Sequence, residues 1–202
     1  MTLTLGPGPL LIATHNAGKL DEMRALLAPL GIAVEGARDH ALPEPDETGT
    51  TFVENARIKA HAAARATGRT ALSDDSGIEI DALGGRPGVY TADWAETPAG
   101  RDFMLAMTRA HDELLASGAP EPWTCRFRAT LVLARPDGSD EVFEGAVEGT
   151  FSWPPRGDFG HGYDPIFVPD GHDITLGQMP AAQKNAISHR ARALDALLAR
   201  LG

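Results

Sequence analysis

The chain has a single cysteine, Cys125. That excludes an internal disulfide and a metal site built from clustered thiolates, and it suits a reducing compartment. Long apolar runs are also lacking. The N-terminal part offers only Leu10-Leu11-Ile12-Ala13, with no Lys/Arg cluster before it. Neither a secretory leader nor a membrane span is therefore expected, and a cytoplasmic protein without membrane contact is. Positive charge is scarce: 18 Lys and Arg stand against 28 Asp and Glu, a net charge of −10. Such a chain cannot neutralise a row of backbone phosphates, so a nucleic acid polymer is not an expected partner. A small phosphate ligand stays open, provided cations converge locally or a metal ion bridges. No Walker A loop, internal repeat or low-complexity tract is present.

What is there reads as an α/β protein. At 202 residues and 43% hydrophobic content, the chain can bury one core or two lobes sharing a sheet, here taken as one domain over 1–202. "GPGPLLIAT" predicts a loop and then a strand over 10–13. "HNAGK" follows as a polar turn. Leu20, Met23, Leu27 and Leu30 then recur at helical spacing, predicting a helix over 18–28. "LPEPDETG" is an acidic, proline-rich loop. Thr51 and Glu54 form a capping box at the start of a second helix, and Gly68 stops it. Short strands are expected over 71–73 and 77–81, with a turn through "SDDSG" between them. A third helix is expected over 100–116, with Phe103, Met107, Leu114 and Leu115 facing inward. "TCRFRATLVLARPDGSDEVFEGAVEGTF" alternates on both sides of "PDG" and predicts a long β-hairpin. The tail is helical from about 188. Interleaved helices and strands with one hairpin give a mixed central sheet flanked by helices.

Four stretches could carry chemistry. In "ATHNAGK" a strand meets a helix start through a polar turn. Free N–H groups and the helix dipole favour an anion there, with Thr14, Asn16 and Lys19 adding hydrogen bonds and charge; an ordinary turn with a capping Asn fits equally well. In "SDDSG", Asp74 and Asp75 are hard oxygen ligands suited to Mg²⁺ or Mn²⁺, and Glu44, Asp46 or Glu47 could add another; a solvated Asp-Ser-Gly turn is the plainer explanation. "HGYDP" could be no more than a turn. In "QKNAISHRARAL", Lys184 and His189 would diverge by about 140° on one ideal helix. Lys184 is therefore expected in a loop before the helix, with His189 and Arg190 at its opening. A solvated basic face would explain these residues too. Each stretch alone is weak; together they supply what a nucleoside triphosphate site needs.

"IATHNAGK", "TGTTFVENA", "SDDSGIEIDALGGRPGVY", "GYDPIF" and "QKNAISHRARAL" closely resemble, in order, the inosine triphosphate pyrophosphatase family, over about residues 11–198. The resemblance implies a homodimer of elongated, two-lobed α/β subunits, each with an active-site cleft between the lobes. It implies Mg²⁺-dependent conversion of ITP, dITP or XTP to the monophosphate and pyrophosphate, with Mn²⁺ a possible substitute. Carried over residue by residue, it gives a nucleotide-binding turn at Thr14, His15, Asn16, Ala17, Gly18 and Lys19. Asp75 becomes general base and metal ligand, with Asp74 beside it and Ser76 on the substrate. The second metal carboxylate falls on Glu44 or Glu47. His161, Gly162, Tyr163 and Asp164 contact base and sugar, the late lysine falls on Lys184, and the His-Arg pair on His189 and Arg190. From the chemistry of these groups, Lys19 and Lys184 are expected to support the leaving pyrophosphate, and His189 or Arg190 to donate to the purine 6-oxygen. The family usually has a large aromatic where this chain has His161; Phe159 is the alternative stacking ring. A Maf-type pyrophosphatase would lack the "ISHR" tail. A nucleotide sensor without turnover would gain nothing from paired aspartates beside a phosphate cradle.

Overall fold

The structure is a computed structural model and describes Leu5 and residues 8–201. The loop expected at Gly6-Pro7 lies outside the described residues. In chain order the elements are β1 (Leu10–Ile12), α1 (Ala17–Leu27), β2 (Val34–Gly36), α2 (Phe52–Thr67), β3 (Ala71–Ile80), β4 (Arg86–Pro87), β5 (Glu96–Thr97), β6 (Gly100–Arg101), α3 (Phe103–Ser117), β7 (Thr124–Ala134), β8 (Asp140–Phe151), β9 (Phe167–Pro169), α4 (Ala181–Ile187) and α5 (His189–Leu201). The main sheet runs β2-β1-β3-β7-β8-β9, with β4 paired to β3. It is mixed: β1 is parallel to β2 and β3, whereas β4 and β9 pair antiparallel. The fold class read from the sequence stands.

The chain divides into two compact units. The first holds the chain through Asp75, Ala129–Gly145 and the segment from Arg190 onward; the second holds Ser76–Arg128 and Ala146–His189. In the first, strand alternation sends Leu10, Ile12, Leu72, Leu131 and Leu133 to one face, against Met23, Leu27 and Leu194. Leu11, Ala13, Ala71, Val132 and Ala134 go to the other, where α2 packs through Ala56, Ala60, Ala63 and Ala64. Alanines keep that helix close to the sheet. Thr51 and Glu54 do form a capping box, and Gly68 caps the end in the left-handed region at φ 66°. In the second unit Ile78, Ile80, Trp123, Phe127, Phe151, Tyr163 and Phe167 pack against Met107 and Leu114 of α3.

Two expectations fail in the second unit. The third helix starts at Phe103, because Asp102 caps it by accepting from the N–H groups of Met104 and Leu105, and Gly100 belongs to β6. Leu115 is exposed while Leu114 is buried, since consecutive helical residues point roughly 100° apart and only one can enter a core. A third failure bears on the site. No turn interrupts "SDDSG"; β3 runs unbroken from Ala71 to Ile80.

Candidate active site

That unbroken strand explains how two adjacent aspartates can both be buried, Asp74 at 1% and Asp75 at 6% exposure. Neighbouring strand residues point to opposite faces. Each carboxylate therefore makes its contacts with a different set of cations. On Asp74's side, Lys19 Nζ of α1 lies 2.9 Å from Asp74 Oδ2. Arg190, at the opening of α5, donates to the same oxygen through Nη2 at 3.0 Å and Nε at 3.3 Å. Arg190 also donates through Nη1 to Glu22 of α1, which is buried. On Asp75's side lies α2. Ser73 Oγ donates to the Ala56 carbonyl at 2.6 Å, and Lys59 Nζ donates to Asp75 Oδ1 at 3.1 Å and to Glu47 Oε1 at 3.0 Å.

The two aspartates differ electrically. Burial pushes Asp74 upward, but Arg190 and Lys19 outweigh it and hold the carboxyl far below the usual range. Asp75 is pushed up to about 6: burial dominates, Lys59 and Lys19 only partly offset it, and the Glu47 and Asp74 charges add to it. Lys59 is itself buried, yet the charges of Asp75, Glu47 and Asp74 keep its pKa raised. The asymmetry within this ion pair follows from these opposing effects. Lys59 sees several carboxylates, while at Asp75 burial outweighs what Lys19 and Lys59, the latter shared with Glu47, return.

The nucleotide-binding turn forms as a helix start. Asn16 caps α1, its Oδ1 accepting from Lys19 N–H at 3.1 Å, and Thr14 Oγ1 accepts from Asn16 N–H at 3.2 Å. Ala17 and Gly18 open the helix. His15 is occupied with the acidic loop, its Nε2 lying 2.8 Å from the Leu42 carbonyl. The far end of that loop is tied to α2, where Asn55 Oδ1 accepts from Gly49 N–H at 2.8 Å. A Cβ on Gly49 would come within 2.6 Å of that oxygen. Of the two acidic-loop candidates, Glu47 joins the Lys59–Asp75 cluster, while Glu44 is exposed.

The second unit holds the other candidates. Asp164 is buried and accepts from Lys184 Nζ at 2.7 Å and from the His161 N–H at 2.8 Å. Lys184 does not lie in a loop: it sits on α4, a short helix of its own, which ends before Ser188. His189 then opens α5 as expected and is stacked on Phe127. Tyr163 is 1% exposed and packs edge-on against Phe103; burial pushes its phenol pKa up. His161 and Phe159 are exposed. Ser76 is the first residue of this unit.

Two residues escaped sequence reasoning. Lys59 had a visible signal, since it lies on the alanine stripe of α2, three residues after Ala56 and four before Ala63. A lysine on a buried face calls for buried anions. Glu22 had no comparable signal. The Arg190 guanidinium, one of the two donors considered for the purine edge, is buried and engaged with Asp74 and Glu22.

Among the described residues, no three His, Cys, Asp or Glu side chains cluster as a ready-made metal site. Asp75 and Glu47 nevertheless present hard oxygens converging on one cation, the Lys59 ammonium, and Asp75 Oδ2 is buried with no hydrogen-bond partner. Mg²⁺ usually binds through one or two carboxylates and completes its shell with water and substrate phosphates. The donor set fits that pattern.

The profile of the Ham1 family matches residues 10–200. The chain belongs to the Ham1 family. A dITP/XTP pyrophosphatase of Ruegeria pomeroyi is 65% identical over 195 residues, covering 96% of this chain and 96% of that protein. One from Mesorhizobium japonicum is 55% identical over 203 residues, covering 95% and 92%. Among solved structures, a HAM1 protein from Coxiella burnetii aligns with a TM-score of 0.85 at 36% identity, over 94% of this chain and 95% of that one. The Staphylococcus aureus Ham1 protein aligns at 0.81 and 34%, over 95% and 97%. This Ham1 chain has no helix, among its described residues, long and apolar enough to cross a membrane.

Proposed function

We propose that this Ham1 protein hydrolyses deaminated purine nucleoside triphosphates, ITP, dITP and XTP, to the monophosphate and pyrophosphate. Removing them keeps them out of DNA and RNA. The observation that carries the mechanism is Asp75, a buried carboxylate poised near pH 6 with one oxygen unengaged. A general base works best with a pKa near the operating pH. Asp75 orients a water and takes its proton as the oxygen attacks the α-phosphorus. The new P–O bond forms as the bond to the bridging oxygen of the pyrophosphate breaks, and no covalent enzyme intermediate is needed.

Lys19 and Lys59 supply the charge that the departing pyrophosphate needs. Lys184, expected in that role, pairs with Asp164 of the base-and-sugar loop, and we assign it to that loop. Lys184 and Asp164 instead fix the loop carrying His161 and Gly162, which contacts base and sugar. The exposed Phe159 is the second ring available there. Tyr163, buried in the core, holds that loop to the body of its unit. Asp75 and Glu47 would hold Mg²⁺ together with phosphate oxygens, and the ion would spread the triphosphate's negative charge. Arg190 acts through Asp74, keeping it ionised and fixed. His189 donates to the purine 6-oxygen, an acceptor that adenine lacks. We further assign the protein to the cytoplasm, as a homodimer; Tyr90, Met104 and Leu105 are exposed apolar residues that an assembly could cover.

The test is pyrophosphate release from a panel of triphosphates. With Mg²⁺, dITP, ITP and XTP should be turned over about a hundredfold or more faster than ATP, the range a hydrogen-bonding site can reach. Chelation by EDTA should abolish the activity. Equal turnover of ATP and ITP, or full activity in EDTA, would overturn the reading.

A further inference from the structure

Phe127 has no part in the assignments above. It lies on β7 in the second unit, between Arg126 and Arg128. Strand alternation turns its ring to the face opposite theirs. Arg126 pairs with Glu148 at 3.0 Å and Asp81 at 2.9 Å, and Arg128 with Glu79 at 3.2 Å. These outer ion pairs hold the strand's register, so the Phe127 ring is delivered inward. It is 7% exposed.

One face of that ring lies along His189, with centroids 5.0 Å apart and planes only 15° from parallel. Phe167 of β9 packs against Phe127 at 4.8 Å, tilted by 55°. Phe167 is fully buried, and Gly149 of β8 makes room for it: a Cβ there would come within 2.8 Å of the Phe167 ring carbon Cζ and 2.3 Å of the Val168 carbonyl oxygen. A continuous line of packing thus runs from Gly149 through Phe167 and Phe127 to His189. The χ2 torsion of histidine is intrinsically broad. A parallel ring against one face narrows it, because rotating the imidazole would drive its edge into the neighbour.

We propose that Phe127 is a positioning residue that fixes the plane of His189, and with it the direction of the hydrogen bond His189 gives to the purine 6-oxygen. Phe127 is then a determinant of purine selectivity. The proposal rests on the reading of His189 given under the proposed function. A residue that only fills the core affects all substrates alike; one that aims a donor changes the ratio between a 6-oxo and a 6-amino purine.

The experiment measures kcat/KM for ITP and ATP in the wild type, Phe127→Leu, Phe127→Tyr, His189→Ala and the Phe127→Leu/His189→Ala double variant, with melting curves for each. Phe127→Met replaces the leucine variant if that one does not fold. Phe127→Leu should lower the ITP/ATP ratio about tenfold, as a misaimed hydrogen bond would. Phe127→Tyr, which keeps the ring, should preserve the ratio. Once His189 is alanine, Phe127→Leu should lower the ratio no further. A ratio that changes with His189→Ala but not with Phe127→Leu, or additive effects in the double variant, overturns the role of Phe127 alone. A ratio unchanged by His189→Ala overturns the reading of His189, and the proposal with it.

Discussion

Asp75→Asn is expected to lose about a thousandfold in kcat, the scale of a deleted general base, while its melting temperature above pH 6 stays level or rises. The two outcomes share one cause. Burial raises the Asp75 pKa from 3.8 to about 6, so in the folded state the carboxylate charges reluctantly. The unfolded chain gives up this proton near pH 4, the folded one only near pH 6. Between those values the folded state binds more protons than the unfolded state, and stability falls as pH rises. Above pH 6 the full penalty is in place, on the order of 3 kcal/mol for the group by itself. Asparagine removes it, and Lys59 keeps Glu47 as a partner at 3.0 Å. The stabilisation by Asp75→Asn should therefore be larger at pH 8 than at pH 5. In the wild type, kcat/KM should fall as pH drops below about 6, because the free enzyme's base takes up a proton. Kinetics and thermal melts across that range check both limbs. A variant that keeps most of its kcat removes Asp75 from the role.

Arg190→Met should be the most destabilising single change at the site. The guanidinium is 2% exposed and joins Asp74 to Glu22, which are also buried. Removing it takes the guanidinium from buried Glu22 and leaves Asp74 with Lys19 alone, and breaking a buried pair from one side costs about 3–5 kcal/mol. For a chain of this size that corresponds to a fall in melting temperature of roughly 10 °C. The sign at low pH is also fixed. Asp74 has a depressed pKa, so its stabilising contribution is present at neutral pH and is lost as pH falls through the acid range. In Arg190→Met that contribution is reduced to what Lys19 supplies, so the variant should lose less further stability on acidification than the wild type does. Adding Asp74→Asn and Glu22→Gln should recover much of the lost stability, since neutral amides tolerate burial better than unpaired charges. Thermal melts of the wild type, Arg190→Met and the triple variant decide this. A fall of only a degree or two in Arg190→Met would mean that the buried network contributes little.

Local signals in the sequence were reliable guides to the elements. The capping box at Thr51 and Glu54, the stop at Gly68 and the hairpin flanking "PDG" describe bonds between near neighbours, and the structure has them. The motif at 73–77 was legible as chemistry but not as backbone. Asp, Ser and Gly favour turns, and nothing nearby argues for a strand through them. The strand is sustained by Lys59 on one face and by Lys19 and Arg190 on the other. Arg190 lies 116 residues further along the chain, a tertiary contact that local propensity cannot register. The same distance hid the partners of Arg190, which was visible as a candidate while Glu22 was not. Lys59 could have been found by asking why a lysine interrupts an alanine face. Leu115 shows the converse: two adjacent leucines both suit a core by hydrophobicity, but one helix face can deliver only one of them.

The central claim is that water, activated at Asp75, attacks the α-phosphorus. Hydrolysis of dITP in ¹⁸O-labelled water, with mass analysis of both products, tests it most directly. The account predicts the label in the nucleoside monophosphate and unlabelled pyrophosphate; label in the pyrophosphate would place the attack at the β-phosphorus and contradict it.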